Sequence, residues 1–273
     1  MYRRKPAVAG AFYPANPQRL SSMIESYLNE AEEGPKPESI VGVVSPHAGY
    51  VYSGPVAAFC FRPLMRSDAT LAVVLAPSHR ARFNGAAFIA DGVYETPLGD
   101  VEIDAAVGTA LKDGKYVTHL PEAHQMEHSL EVQVPFLQKV LPSFSLVPVI
   151  VGTTNLEICA GIAEDLAQVL KGEERRFIIV ISTDLSHYHS YDQARVMDKN
   201  FIDALESFDE KRVKDVLSSG KAEACGEGPV LAGMALCKKL GARSVKTLKY
   251  ATSGDTAGDK SQVVGYLSAA FVR

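Results

Sequence analysis

Seven apolar runs of strand length, at 39–45, 70–78, 86–92, 145–152, 176–184, 245–252 and 263–272, are the main constraint on the fold of this chain. Several, such as SIVGVVS and RFIIVISTD, are apolar on both faces, as the inner strands of a covered sheet must be. Helical patterns fall between them at about 18–32, 55–61, 103–113, 129–140, 155–171, 191–206, 209–219 and 228–240. Thr154 and Asn155 are placed to cap the helix that stops before Gly172. This alternation predicts an α/β protein, a three-layer α/β/α sandwich around a mixed sheet. The polar stretch 32–39 runs straight into a strand, so it reads as a connector, and one domain over 1–273 is expected.

Composition narrows the function classes. With 47% apolar and 22% charged residues, the chain has the balance of an ordinary soluble domain. A net charge of −4 without a block of like charge gives no footprint for nucleic acid. No apolar run approaches the roughly 20 residues of a membrane span. The start, MYRRKPAVAGAFYP, lacks the apolar core of a secretory signal. Four cysteines without a tight pairing pattern fit a reducing, cytoplasmic setting.

The histidines are where chemistry collects. His47 follows one strand, His79 the next, and His187 and His189 follow a third. Ligands of open α/β sheets bind beyond the carboxyl ends of strands, so three strands each deliver an imidazole to that place. Taken singly, each could equally well hydrogen-bond a loop carbonyl. Cys225 stands just before a helix opened by Pro229, where the helix dipole and a nearby cation would favour a thiolate. The glycines at 226 and 228 would let the backbone approach something closely. Cys60, Cys159 and Cys237 read as core. Two imidazoles and one thiolate form a sensible metal set, suited to iron, copper or zinc, with an open coordination position. The spacing is long-range, so the convergence of loops carries this reading.

In EAHQMEHSLEVQVPFL, Glu127 and His128 precede an amphipathic helix, and Glu131 lies three residues beyond His128. Either helix-start chemistry or the orientation of a ligand histidine accounts for them. Asp184, three residues before His187, is placed to orient it as an acid or base. Tyr50 and Tyr52 are candidates to line a pocket, together with His128, Glu131 and Glu227 as substrate contacts. His119 and His124 lie in a polar loop with no assigned role.

The segments RKPAVAGAFYPANP, SPHAGYVYSGPVAA, APSHR, EHSLEVQVPFL, STDLSHYH and CGEGPVLAGMAL resemble the Memo family, in that order, from about residue 3 to 270. The resemblance implies a fold similar to class III extradiol ring-cleavage dioxygenases. It matches His47, His79 and Cys225 to the family's metal-ligand candidates and His187 to a further pocket histidine. It implies Fe(II) or copper, and partnership with radical-SAM and AMMECR-type proteins. A thiol in place of the dioxygenases' carboxylate ligand departs from ring-cleavage chemistry. The leading expectation is a metal protein with oxygen-linked redox chemistry on a small molecule or partner. The alternatives are a binding module for a peptide or small anion, and a hydrolase with Cys225 as nucleophile and His187 as base.

Overall fold

The computed structural model describes residues 2–273. Its centre is four parallel strands in the order Ser145–Val151, Leu71–Pro77, Phe177–Ser182 and Ile40–Ser45. Val263–Val272 runs antiparallel beside Ile40–Ser45 and carries Ser244–Thr252 on its other side. On the opposite flank an antiparallel hairpin, Gly92–Thr96 and Gly99–Ile103, joins Ser145–Val151, and Arg3–Arg4 pairs with the hairpin. The sheet is therefore large and mixed.

Strand alternation explains why both faces are covered. In Leu71–Pro77, Val73 and Leu75 enter one core while Ala72, Val74 and Ala76 enter the other. Ile179 and Ile181 divide from Ile178 and Val180 in the same way. Helices Leu156–Leu170, Tyr191–Glu206, Glu210–Ser218 and Glu227–Lys239 cover the first face. Pro17–Glu30, Tyr50–Phe61, His128–Glu131 and Val134–Val140 cover the second. The three-layer α/β/α arrangement is thus present.

Asn155 caps the helix after it by accepting from the amides of Glu157 and Ile158. Three expectations change. The helix placed at 55–61 begins at Tyr50, with Pro55 inside it rather than at its start. The pattern at 129–140 splits into two helices, because Pro135 sits in the first turn of the second. The run 86–92 ends as a strand at Phe88, and Gly92, at φ 124°, opens the hairpin instead.

All four parallel strands point their carboxyl ends to one edge of the sheet. Helix Glu227–Lys239 starts against that edge. A Cβ on Gly226 would fall 2.4 Å from the Ser182 carbonyl, and one on Gly228 would fall 2.1 Å from that of Thr153. The two glycines are what allow the helix start to touch the strand ends.

Candidate metal centre

His47 follows Ser45 at the strand edge and is buried. Its tautomer follows from its neighbours. Gln133 donates to the Pro46 carbonyl at 3.0 Å and, through the same amide nitrogen, to Ser182 Oγ at 2.9 Å. Ser182 spends its own proton on the Ser129 carbonyl at 2.7 Å. Ser182 Oγ is then an acceptor, so His47 Nδ1, 2.8 Å away, must carry the ring proton. Nε2 is left with its lone pair. Burial, then the neighbouring imidazoles of His79, His128 and His187, holds the ring well below the usual histidine range, so it is neutral at pH 7.

Glu127 sets the second pair. Its carboxylate accepts from the His79 amide, from His79 Nδ1 at 2.9 Å and from the Ser129 amide at 3.1 Å. Burial alone would raise this carboxyl, but His79 and the two amides outweigh it and bring it down to about 2. His128 Nδ1 lies 3.4 Å from the same carboxylate. Burial pushes His128 down to about 4, against the pull of Glu127. The rings of His47, His79 and His128 close a triangle with centroid separations of 5.3, 5.6 and 4.8 Å. One donor atom from each of these residues lies within 4.8 Å of the other two.

Cys225 Sγ lies 3.0 Å from His47 Nε2 and accepts the Asp184 amide at 3.3 Å. Burial and the Asp184 carboxylate raise its pKa, so it is a thiol at neutral pH. Asp184 Oδ1 accepts the His47 amide at 2.7 Å, and Oδ2 is 4.0 Å from His47 Nε2. Burial pushes this carboxyl up to about 7 despite amide hydrogen bonds from His47 and Ala48. His187 donates Nδ1–H to the Leu185 carbonyl at 2.8 Å, which also leaves its Nε2 unprotonated. Burial lowers its pKa.

The family model described as Memo-like protein matches residues 4–270. The chain belongs to the Memo family. A MEMO1 family protein of Methanopyrus kandleri is 41% identical over 281 residues, covering 99% of each chain. One from Archaeoglobus fulgidus is 39% identical over 269 residues, covering 98% of this chain and 99% of the relative. An uncharacterized protein from Escherichia coli K12, known from its crystal structure, aligns with a TM-score of 0.50 at 13% identity over 85% of this chain and 99% of its own. That likeness concerns the fold alone.

Within this Memo-family chain the structure sorts the residues singled out by sequence. His47, His79, Cys225, Asp184 and His187 lie at the same sheet edge. His128, expected as a substrate contact, stands in the histidine triangle itself. Tyr52 is exposed on the first turn of its helix, whereas Tyr50 turns into the core and donates to the Val132 carbonyl at 2.6 Å. Tyr50 is therefore no pocket residue, because the helix begins one residue after Gly49 and rotates its ring inward. Glu131 points away from His128 to a buried ion pair with Arg4. Glu227 pairs with Lys214 on the flank of the helix start. Cys225 meets His47 rather than His187, so the expected pairing of Cys225 as nucleophile with His187 as base is not formed. Sequence reasoning gave no role to Ser182 or Gln133. Only the adjacency of Glu127 to His128 hinted at a carboxylate shared between two imidazoles.

The donor set fits a late first-row transition ion. Each of His47, His79 and His187 gives its Nδ1–H to a fixed acceptor, the arrangement that orients ligand imidazoles in metal proteins. Imidazole nitrogens beside a sulfur donor suit iron, copper or zinc better than hard cations.

Proposed function

We propose that this Memo-family protein binds iron or copper on His47, His79 and His128, with Cys225 as a fourth donor once its proton is lost. The reading is supported above all by the tautomer of His47, fixed through Ser182, Gln133 and two backbone carbonyls. A buried polar network that is fully satisfied fixes one arrangement of its members. It is well suited to aiming one lone pair.

Bound there, such an ion would supply redox chemistry with oxygen toward a small organic molecule or partner protein. The protein's own residues prepare it. Glu127 holds the His79 ring by Nδ1 and keeps its negative charge against the triangle. Asp184 accepts the His47 amide at 2.7 Å and so holds the path of the loop that carries this ligand. His187 keeps a free Nε2 to accept a proton from a ligand at the rim. Four free cysteines favour a reducing compartment, so we place the protein in the cytoplasm. Among the described residues no helix is long and apolar enough to cross a membrane. Radical-SAM and AMMECR-type proteins are its proposed partners, on family resemblance.

The test is anaerobic metal analysis and Fe(II), Cu(I) and Zn(II) titration of wild type, His79→Ala and Cys225→Ala. Stoichiometric iron or copper in wild type, lost in His79→Ala and weakened in Cys225→Ala, supports the reading. No uptake of any of the three ions by wild type would overturn it and turn attention to a peptide or small anion in the same place.

A further inference from the structure

Arg4 and Glu131 form an ion pair whose two side chains are both 0% exposed. Burying such a pair is costly, and apolar residues of similar size are often at least as stable. The neighbours show what this pair does instead. The fork of Arg4 also donates to the His124 carbonyl at 3.0 Å and the Glu127 carbonyl at 2.6 Å. All three of its acceptors thus belong to the turn that delivers Glu127 and His128. Glu131 answers in kind toward the other segment. It accepts from Arg4, from the Ala7 amide at 2.8 Å, the Val8 amide at 3.1 Å and the Tyr13 hydroxyl at 2.5 Å.

The segment so held then reaches two histidine loops. The Phe12 ring meets His128 edge-on at 4.9 Å, and the Phe12 carbonyl accepts the Tyr50 amide, three residues past His47, at 2.7 Å. Residues 4–13 therefore wedge between the His47 loop and the His128 turn. None of these residues touches the triangle with a charged group of its own except through the backbone of the 124–131 turn.

We infer that Arg4, locked by Glu131, is a positioning residue of the histidine centre: it fixes the 124–131 turn so that Glu127 and His128 meet His79 and His47. The inference rests on the metal reading for its purpose, while its geometry is testable in metal-free protein. Lysine at position 4 keeps the charge but has one compact ammonium, which cannot span a carboxylate and two carbonyls as the planar guanidinium does.

The experiment compares wild type, Arg4→Lys and the double variant Arg4→Met/Glu131→Leu, which removes both charges together. Ring-nitrogen NMR of the metal-free proteins follows each histidine. The expected result is that His79 and His128 signals move or broaden in both variants while His189, held by Glu223, stays in place. Co(II) affinity, read by competition with a chromophoric chelator, should fall about tenfold to a hundredfold, with an altered visible spectrum. Thermal unfolding of the double variant should fall below wild type, because the Ala7 and Val8 amides and the Tyr13 hydroxyl lose their acceptor. Unchanged His79 and His128 signals in folded Arg4→Lys would overturn the inference. So would a double variant that binds Co(II) with wild-type affinity and spectrum. If the double variant does not fold, Arg4→Lys decides alone. Failure of wild type to bind Co(II) would count against the metal reading only, since the imidazole signals still judge the positioning role.

Discussion

Cys225 Sγ lies 3.0 Å from His47 Nε2, and because Nδ1 already carries the ring proton, the one proton between them belongs to the thiol. Any ion that takes both atoms must displace it. Metal uptake by wild type should therefore release about one proton more than uptake by Cys225→Ala. Calorimetry in buffers of different ionisation heat measures the difference; equal release would show that sulfur takes no part.

Ser182→Ala removes the acceptor of both His47 Nδ1–H and the Gln133 amide. Two buried donors lose a partner, at about 1–3 kcal/mol each at most. Metal affinity should fall about tenfold to a hundredfold as His47 loses its fixed tautomer. Denaturant unfolding of metal-free protein and a metal titration read the two effects separately.

Acid should destabilise the fold through a buried histidine. Burial lowers His124 to about 3, against an ordinary value of 6.5. The folded state resists the proton and the unfolded state takes it, so the contribution is complete above pH 6.5 and is lost as pH falls toward 3. Between pH 7 and pH 5 this one group costs about 2 kcal/mol. His124→Gln, which keeps a donor for the Ala87 carbonyl, should flatten that part of the stability profile. An unchanged slope would mean that other groups dominate it.

Cys225 should react slowly with iodoacetamide at pH 7.5 in metal-free native protein, because burial and Asp184 keep it a thiol. Mass spectrometry should find it largely unlabelled until the chain is unfolded. Rapid labelling would revive a Cys–His nucleophile.

Gly228→Ala should destabilise by about 1–3 kcal/mol through overpacking, since its Cβ would press on the Thr153 carbonyl at 2.1 Å. Chemical unfolding checks the figure, and a neutral result would show that the helix start can retreat from the sheet.

Much of the architecture is legible because burial on both faces leaves a mark on the chain: the inner strands are continuous apolar runs, and Asn155 announces its helix. The hairpin at 92–103 is not, since its short strands mix Glu95, Asp100 and Glu102 with apolar residues around glycines. At the centre, the strand-end rule pointed to His47, His79, His187 and His189; the first three gather at one edge, whereas His189 turns to Glu223. His128 belongs to a turn whose direction depends on Arg4, a residue over a hundred positions away in the chain. No local pattern encodes that dependence. Tyr50 and Glu131 were misplaced for a related reason, as the first turn of a helix can rotate either way until its packing is known.

The glycine pair at 226 and 228 brings Cys225 to His47 across 178 residues of sequence. At roughly 5–20 residues per second, a ribosome needs on the order of ten to thirty-five seconds to pass from one to the other. Throughout that interval the nascent chain offers exposed imidazoles without their sulfur companion. On the proposed metal reading, loading at the complete donor set would be deferred until translation has passed the start of helix Glu227–Lys239, which would separate the moment of synthesis from the moment of metal selection.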